Sequence, residues 1–387
     1  MTELILPLTH SNKAYRIAVS SLFFLQGLCF ATWASRIPTI QQDLQLTDGQ
    51  LGLVLLALPV GSMIALPLAG WLVTRFGSKT VVTNVLIVYS IMLVTLGLAQ
   101  NITQIIFALV LYGMAGNTAN IAMNTQAIGV EARYSRNIMA SFHGLWSLAG
   151  FTAAGIGTFM IGEGIIPFYH FIIISGFILI ALAIVFQYLL PNEEKREASN
   201  KVFVKPDKAL LLLGLIAFCS MICEGAMFDW SGIYFKKIIK AEGAWIGAGY
   251  TAFMCTMAAG RFIGDWVAMQ FGFKRMLQVS GLTIATGLTI ALLFPYLLPA
   301  MIGFFLVGLG VSSVVPLVYS NAGRSKTMSP GMALAAVSSV GFLGFLAGPP
   351  LIGIVAGMSS LRVSFIIIAL MGLSVAIVAR LVKRNGE

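Results

Sequence analysis

The stretch Cys223-Glu224-Gly225-Ala226-Met227-Phe228-Asp229-Trp230 sets two carboxylates inside an apolar run that extends from Ala209 to Phe235. A run of that length crosses a bilayer as a helix. Helix rise places Glu224 roughly 22 Å and Asp229 roughly 30 Å into it. An ionised acid at such depth costs about 2.5–3.5 kcal/mol even on insertion scales, so intramembrane acids are functional candidates by default. The segment therefore predicts an all-α membrane protein, with this crossing at the working centre of a transporter.

Composition agrees. The chain has 387 residues, of which 58% are hydrophobic and 10% charged. Soluble domains carry about 25% charged residues, so a soluble globular class is excluded. The net charge of +10 does not point to nucleic acid, because the bases sit in short loops between apolar runs. Twelve such runs recur, near 15–38, 51–73, 80–99, 103–127, 138–161, 166–190, 209–235, 245–268, 274–294, 299–320, 331–357 and 361–382. The breaks carry turn chemistry, as in Phe76-Gly77-Ser78-Lys79 and Phe271-Gly272-Phe273-Lys274. An even number of crossings puts both termini on one side. Most of the 24 Lys and Arg fall on that side, which makes it cytoplasmic. Lys236, Lys237 and Lys240 are a local exception.

The first residues are polar and the first apolar run is too long for the core of a secretory signal, so no cleaved leader is expected. Cys29, Cys219, Cys223 and Cys255 all lie in apolar runs and read as small packing residues, not as metal ligands. His10, His143 and His170 are widely spread. No metal, no cofactor and no enzymatic activity are expected.

The chain also divides. The longest polar, mixed-charge stretch is Pro191-Asn192-Glu193-Glu194-Lys195-Arg196-Glu197 through Lys208, at its middle. It reads as a solvated tether between residues 1–190 and 209–387. A shift of about 195 residues lays Leu51-Gly52 on Ile246-Gly247, Gly77 on Gly272 and Gly113 on Gly308. A slightly larger shift lays Trp33 on Trp230 and Gly144 on Gly341. Two parallel repeats of six crossings place a solute site between the halves, near the midplane.

The 6 + 6 pattern, the central tether and the loop Gly70-Trp71-Leu72-Val73-Thr74-Arg75-Phe76-Gly77-Ser78-Lys79 resemble the major facilitator superfamily over the whole chain. Thr74 stands where the signature loop of that family has Asp. The second copy, from Gly260-Arg261 through Asp265 to Lys274, keeps an acid displaced toward the helix. Arg261 and Asp265, at i and i+4, can pair on one helix face. Met123-Asn124, Glu131, His143-Gly144-Leu145-Trp146-Ser147 and Gly344 through Gly353 are similar to the fucose-permease-like branch and its bacterial inner-membrane relatives. That resemblance implies alternating access, a sugar or similar polar solute, and coupling to protons, in a protein functional as a monomer. The fucose permeases carry acids in crossings 1 and 4. This chain has Gln26, Thr32 and asparagines there, and sets Glu224 in crossing 7.

Candidate residues follow from chemistry. Glu224 leads for proton coupling, since burial favours the neutral form of a carboxyl, with Asp229 and His143 behind it. Asn117, Asn120 and Asn124 share one helix face and offer donors and acceptors to a polar solute. They serve equally as interhelical glue. Gln26, Trp33, Trp146, Tyr250 and Tyr319 complete the solute set, with Trp33 a flat partner for a sugar face. Arg36 and Asp229 are expected to meet at an outer gate. Arg75, Lys79, Glu131, Arg133, Arg261, Asp265 and Arg324 are expected to form a cytoplasmic lock of weak, exchangeable pairs. Gly348-Pro349-Pro350 should kink or break its helix, while Gly144, Gly150, Gly155 and Gly157 permit close sliding contacts. Two other readings stay open: an efflux antiporter of the same fold, disfavoured because Ala149-Gly150-Phe151 lacks the Pro that usually ends that motif, and a membrane solute sensor that does not transport.

Overall fold

The computed structural model describes residues 10–134, 138–191, 207–322, 325 and 330–382. Most of the central tether and Arg324 lie outside them, as does the side chain of Asp265. The described chain is helical: α1 (Asn12–Asp43), α2 (Asp48–Phe76), α3 (Ser78–Leu96), α4 (Ile102–Glu131), α5 (Met139–Gly162), α6 (Pro167–Val185), α7 (Lys208–Lys237), α8 (Ala248–Phe271), α9 (Phe273–Leu293), α10 (Leu297–Val311), α11 (Val314–Ala322), α12 (Pro330–Met358) and α13 (Leu361–Leu381). Side-chain caps start several of them and satisfy amides that have no partner inside the helix. Asp207 accepts from the Leu210 amide at 2.8 Å, and Thr47 with Gln50 closes a capping box on α2.

Among the described residues, eleven helical stretches are long and apolar enough to cross a membrane, α10 and α11 counting as one. The sequence had suggested twelve. The missing one is α8, which carries Arg261 in its interior and has several side chains outside the described set. The run at 299–320 is also interrupted, at Ser312-Ser313 between α10 and α11. Conversely, α12 continues through Pro349 and Pro350 without a break.

Packing repeats along the chain. α1 packs on α5 and α6, α2 on α4, and α3 on α4 and α6; correspondingly α7 packs on α12 and α13, α8 on α10, and α9 on α10 and α13. The repeat reaches individual residues. Gly113 of α4 lies against the Leu58 carbonyl of α2, and Gly308 of α10 against the Phe253 carbonyl of α8. Both partners differ by the offset that superposes the two halves of the sequence. The turns α2–α3 and α8–α9 are matched as well: Gly77 has φ 81° and ψ 151°, Gly272 φ 76° and ψ 157°. That backbone is open to glycine and strained for other residues.

The two sets of helices meet along three seams: α2 with α12, α5 with α8, and α1 with α7. The end holding the α1–α2 and α7–α8 turns, which the Lys and Arg distribution assigns to the outside, is called the outer end below. At that end Gly52 and Gly353 abut so closely that a Cβ on Gly353 would sit 2.6 Å from the Gly52 Cα. Outward-facing side chains such as Phe107, Ile180, Leu293 and Leu298 are exposed and apolar, as a lipid-facing surface requires.

Candidate functional site

Glu224 lies on the buried face of α7, 9% exposed. Its Oε1 accepts from Arg261 Nη2 of α8 at 3.2 Å. The other guanidinium nitrogen, Nη1, donates to Ser147 Oγ of α5 at 2.8 Å. The guanidinium also stands 5.8 Å from the Trp146 ring centroid, within range for a cation–π contact. Trp146 Nε1 in turn donates to Gln26 Oε1 of α1. One cation thus joins a carboxylate on α7 to a hydroxyl and an indole on α5, across the seam between the two helix sets. Burying such a pair costs desolvation that its attraction must offset, and removing either partner strands a charge, which costs about 3–5 kcal/mol.

Tyr319 of α11 lies within electrostatic range of Glu224, and His143 of Arg261. His143 also meets the Phe23 ring edge-on at 5.1 Å and is exposed. Outward of the pair, Phe228 touches Phe30, Trp146, Tyr250, Phe253 and Phe345 with ring centroids 5.3–6.3 Å apart. It stands between the Glu224–Arg261 pair and Asp229. Asp229 faces a small cavity lined by Phe30, Trp33, Leu55, Leu58, Pro59, Phe345 and Pro349.

Several sequence expectations place differently. Arg36 does not reach Asp229. Its Nε donates to His170 Nδ1 at 3.0 Å and its Nη2 to the Ile165 carbonyl at 2.7 Å. Those acceptors lie within the first six helices and occupy the guanidinium there, while the Asp229 side chain turns into the Trp33 cavity. Glu131 does not pair with a basic side chain among the described residues. Its Oε2 accepts from the Ile138 and Met139 amides at 2.7 Å each, capping the start of α5. Arg133 stands over the Tyr15 ring at 5.6 Å. Arg75 is exposed and Lys79 half-buried at the α2–α3 turn. Arg261, grouped with the cytoplasmic lock by its spacing to Asp265, is bonded to Glu224; the Asp265 side chain lies outside the described residues.

The asparagines do not join Arg261 among the described contacts. Asn117 donates to the Ser62 carbonyl of α2 at 2.7 Å, and Asn124 donates to Asn120 Oδ1 at 3.0 Å. The first of these is the interhelical glue that the sequence left open.

Residues the sequence did not single out also matter. α1 and α7 meet at the outer end, where Pro38 packs on Gly232 and Lys236 donates to the Pro38 carbonyl and to Gln42. Lys237 pairs with Asp48 at 2.5 Å. Two of the three lysines that broke the charge pattern, Lys236 and Lys237, are therefore cross-seam clasps, while Lys240 is exposed. The signal was present, since three cations at a helix end on the wrong side need a partner. Phe228 and Ser147 had weaker signals: each neighbours a chosen residue in sequence.

A family model, Major Facilitator Superfamily, matches residues 19–325. An uncharacterised MFS-type transporter of Yersinia pestis is 33% identical over 95% of this chain and 96% of its own length. The chain belongs to the Major Facilitator Superfamily. Membrane protein MosC of Rhizobium meliloti is 31% identical over 95% of this chain and 90% of its own. Among solved structures, the nucleoside transporter NupG superposes with TM-score 0.78 at 11% identity, covering 96% of this chain and 100% of that one. The Escherichia coli fucose:proton symporter FucP superposes at 0.63 with 18% identity, over 97% and 100%. At such identities these structures speak to the fold. The protein is a multi-pass membrane protein of a superfamily of secondary transporters, not of enzymes.

Proposed function

We propose that this superfamily member carries a small polar solute, of the sugar or sugar-derivative type, across the inner membrane by alternating access coupled to protons. In this reading twelve crossings, α8 included and α10–α11 counted as one, form two six-helix domains, 1–190 and 209–387, joined by the tether 191–208, with both termini cytoplasmic and the monomer as the working unit. The observation that carries it is the Glu224–Arg261–Ser147 bridge. A proton on Glu224 cancels the charge that holds Arg261. The guanidinium is then free to take an oxygen of the solute, or to release Ser147 and let α5 and α8 part. Proton and solute thus compete for one cation whose position decides whether the halves are joined. Gln26 and Trp146 supply the neighbouring polar atom and flat face, and Tyr319 and His143 lie within electrostatic range of the pair.

The outer seam is closed, by Gly52 on Gly353 and by the Lys236 and Lys237 clasps. The described cross-seam contacts extend inward as far as Gly144 on Phe262 and Arg261 on Ser147. Alternating access in this reading opens the clasps as the bridge and the cytoplasmic ends close.

The test is transport in liposomes with a panel of labelled sugars, polyols and amino solutes. Wild type should exchange at least one of them in counterflow and accumulate it down an imposed proton gradient. Glu224→Gln should keep counterflow and lose gradient-driven accumulation. Accumulation that survives in Glu224→Gln removes the coupling role; no exchange of any solute favours the sensor reading.

A further inference from the structure

We infer that Asp229 and Trp33 form a second polar subsite that receives a primary ammonium group of the solute, so that the solute is a small amine with a neighbouring oxygen acceptor. The inference rests on the transport reading above and narrows its substrate class.

The starting observation is an acid with nothing to hold. Asp229 has no hydrogen bond or ion pair among the described residues. The two arginines near its level are committed: Arg261 to Glu224 and Ser147, and Arg36 to His170 and the Ile165 carbonyl. The cavity it faces is otherwise apolar and aromatic, with Phe30, Trp33 and Phe345 among its walls. A carboxylate in an aromatic box lacks only a cation: it supplies the charge, and the ring faces add cation–π attraction. An anionic group is repelled there, and a neutral one leaves the charge uncompensated.

Size narrows the cation. The cavity measures ≈ 10 Å³, about the room one water needs. A primary ammonium is of that size; a quaternary one is far larger. The donors nearby specify what should adjoin it. Trp33 Nε1, in a side chain 1% exposed, has no acceptor, and the hydroxyl of Tyr250, 2% exposed and within electrostatic range of Asp229, has no partner. Buried donors without partners are uncommon. A hydroxyl, ether or carboxylate oxygen next to the amine would satisfy one of them.

Position makes this a transport subsite. Phe30 and Trp33 come from α1 and Leu55, Leu58 and Pro59 from α2, while Asp229 lies on α7 and Phe345 and Pro349 on α12. The occupant is gripped by both helix sets, so it must leave when they part. Phe228 separates this subsite from Arg261, which leaves the two ends of one solute to be read by opposite charges.

The experiment uses the full chain, purified in detergent, and matched probe pairs. Amino sugars and amino alcohols are each set beside the compound with hydroxyl in place of amine: glucosamine beside glucose, ethanolamine beside ethylene glycol, and homologues of each. Binding is read by thermal shift and titration. At least one amine should bind about tenfold more tightly than its hydroxyl partner, the effect of one charge-assisted contact. Asp229→Asn should abolish the preference and Asp229→Glu should keep part of it. In wild type, the preferred amine should slow carbodiimide labelling of Asp229 at least about threefold, a modest occupancy effect, and its hydroxyl partner should not. The inference is overturned if hydroxyl members bind as well as amines, if no amine binds, or if the preference survives Asp229→Asn. Counterflow separates the two levels: exchange of hydroxyl members only leaves the transport reading standing and removes this one, whereas tight amine binding without exchange removes transport and keeps the subsite.

Discussion

Glu224 and Asp229 sit five residues apart on the same helix, and their surroundings are opposite. Glu224 is paired with Arg261 and joined through it to α5. Asp229 faces rings and prolines and has no partner among the described residues. Phe228 lies between them and touches rings from four other helices. The lesson is that depth in the membrane does not assign a role. A paired acid is a joint, which a proton can undo. An unpaired acid is a vacancy, which a cation can fill.

The contrast breaks hardest at its cation. Arg261→Ala leaves Glu224 buried and alone, and should destabilise the protein by about 3–5 kcal/mol, seen as a large fall in the midpoint of thermal unfolding, with transport lost. The double variant Arg261→Met with Glu224→Gln should recover most of that stability but not transport. Equal midpoints for single and double variants would mean that the pair does not interact.

The seam over the cavity comes next. Gly353→Val places side-chain atoms against the Gly52 backbone, where a Cβ alone already sits too close. Overpacking of this kind costs about 1–3 kcal/mol, here charged against the closed outer end. Carbodiimide added from outside should label Asp229 faster than in wild type, while the Glu224–Arg261 pair remains. An unchanged labelling rate would show that the α2–α12 crossing does not control access.

Asp229→Asn sharpens the comparison from the other side. With no partner to lose, the change removes a poorly compensated charge, so thermal stability without solute should hold or rise, by about 1 kcal/mol or less. Glu224→Gln under the same conditions should fall. A loss of stability in Asp229→Asn as large as in Glu224→Gln would reveal a partner for Asp229.

The smallest effect belongs to the clasp. Lys237 is 40% exposed where it meets Asp48, and such pairs are worth about 0–1 kcal/mol. Lys237→Ala should leave the unfolding midpoint within a degree or so of wild type and modestly quicken exchange between conformations. Single-molecule distances across the α1–α7 seam would measure that rate.

Much of this was legible in the residue order. Apolar runs, loop cations and the near-constant offset between repeats act locally or statistically, and each survives without knowledge of contacts. Gly113 and Gly308 illustrate the gain: an offset read from spelling proved to join two identical helix crossings. The sites were less legible. The Arg261–Glu224 contact was missed because one helix face was all the sequence offered, and Arg36 looked like a partner for Asp229 because both lay at similar depth. Glu131 looked free for a lock because the α5 amides it caps lie seven and eight residues on, beyond helical spacing.

By itself the sequence determined that the chain must live in a membrane, that its backbone must be helical there, and which side chains would be too polar to sit in lipid without a reason. Burial and hydrogen-bond satisfaction impose those outcomes whatever the neighbours are. Only the tertiary structure decided which polar group answers which. Arg261 can reach Glu224 and Ser147 because α5, α7 and α8 converge, and Asp229 has no cation among the described residues, Arg261 and Arg36 being engaged elsewhere. Pairing depends on distances of a few ångströms between residues 37 positions apart for Glu224 and Arg261 and 114 apart for Arg261 and Ser147, and no local pattern encodes them.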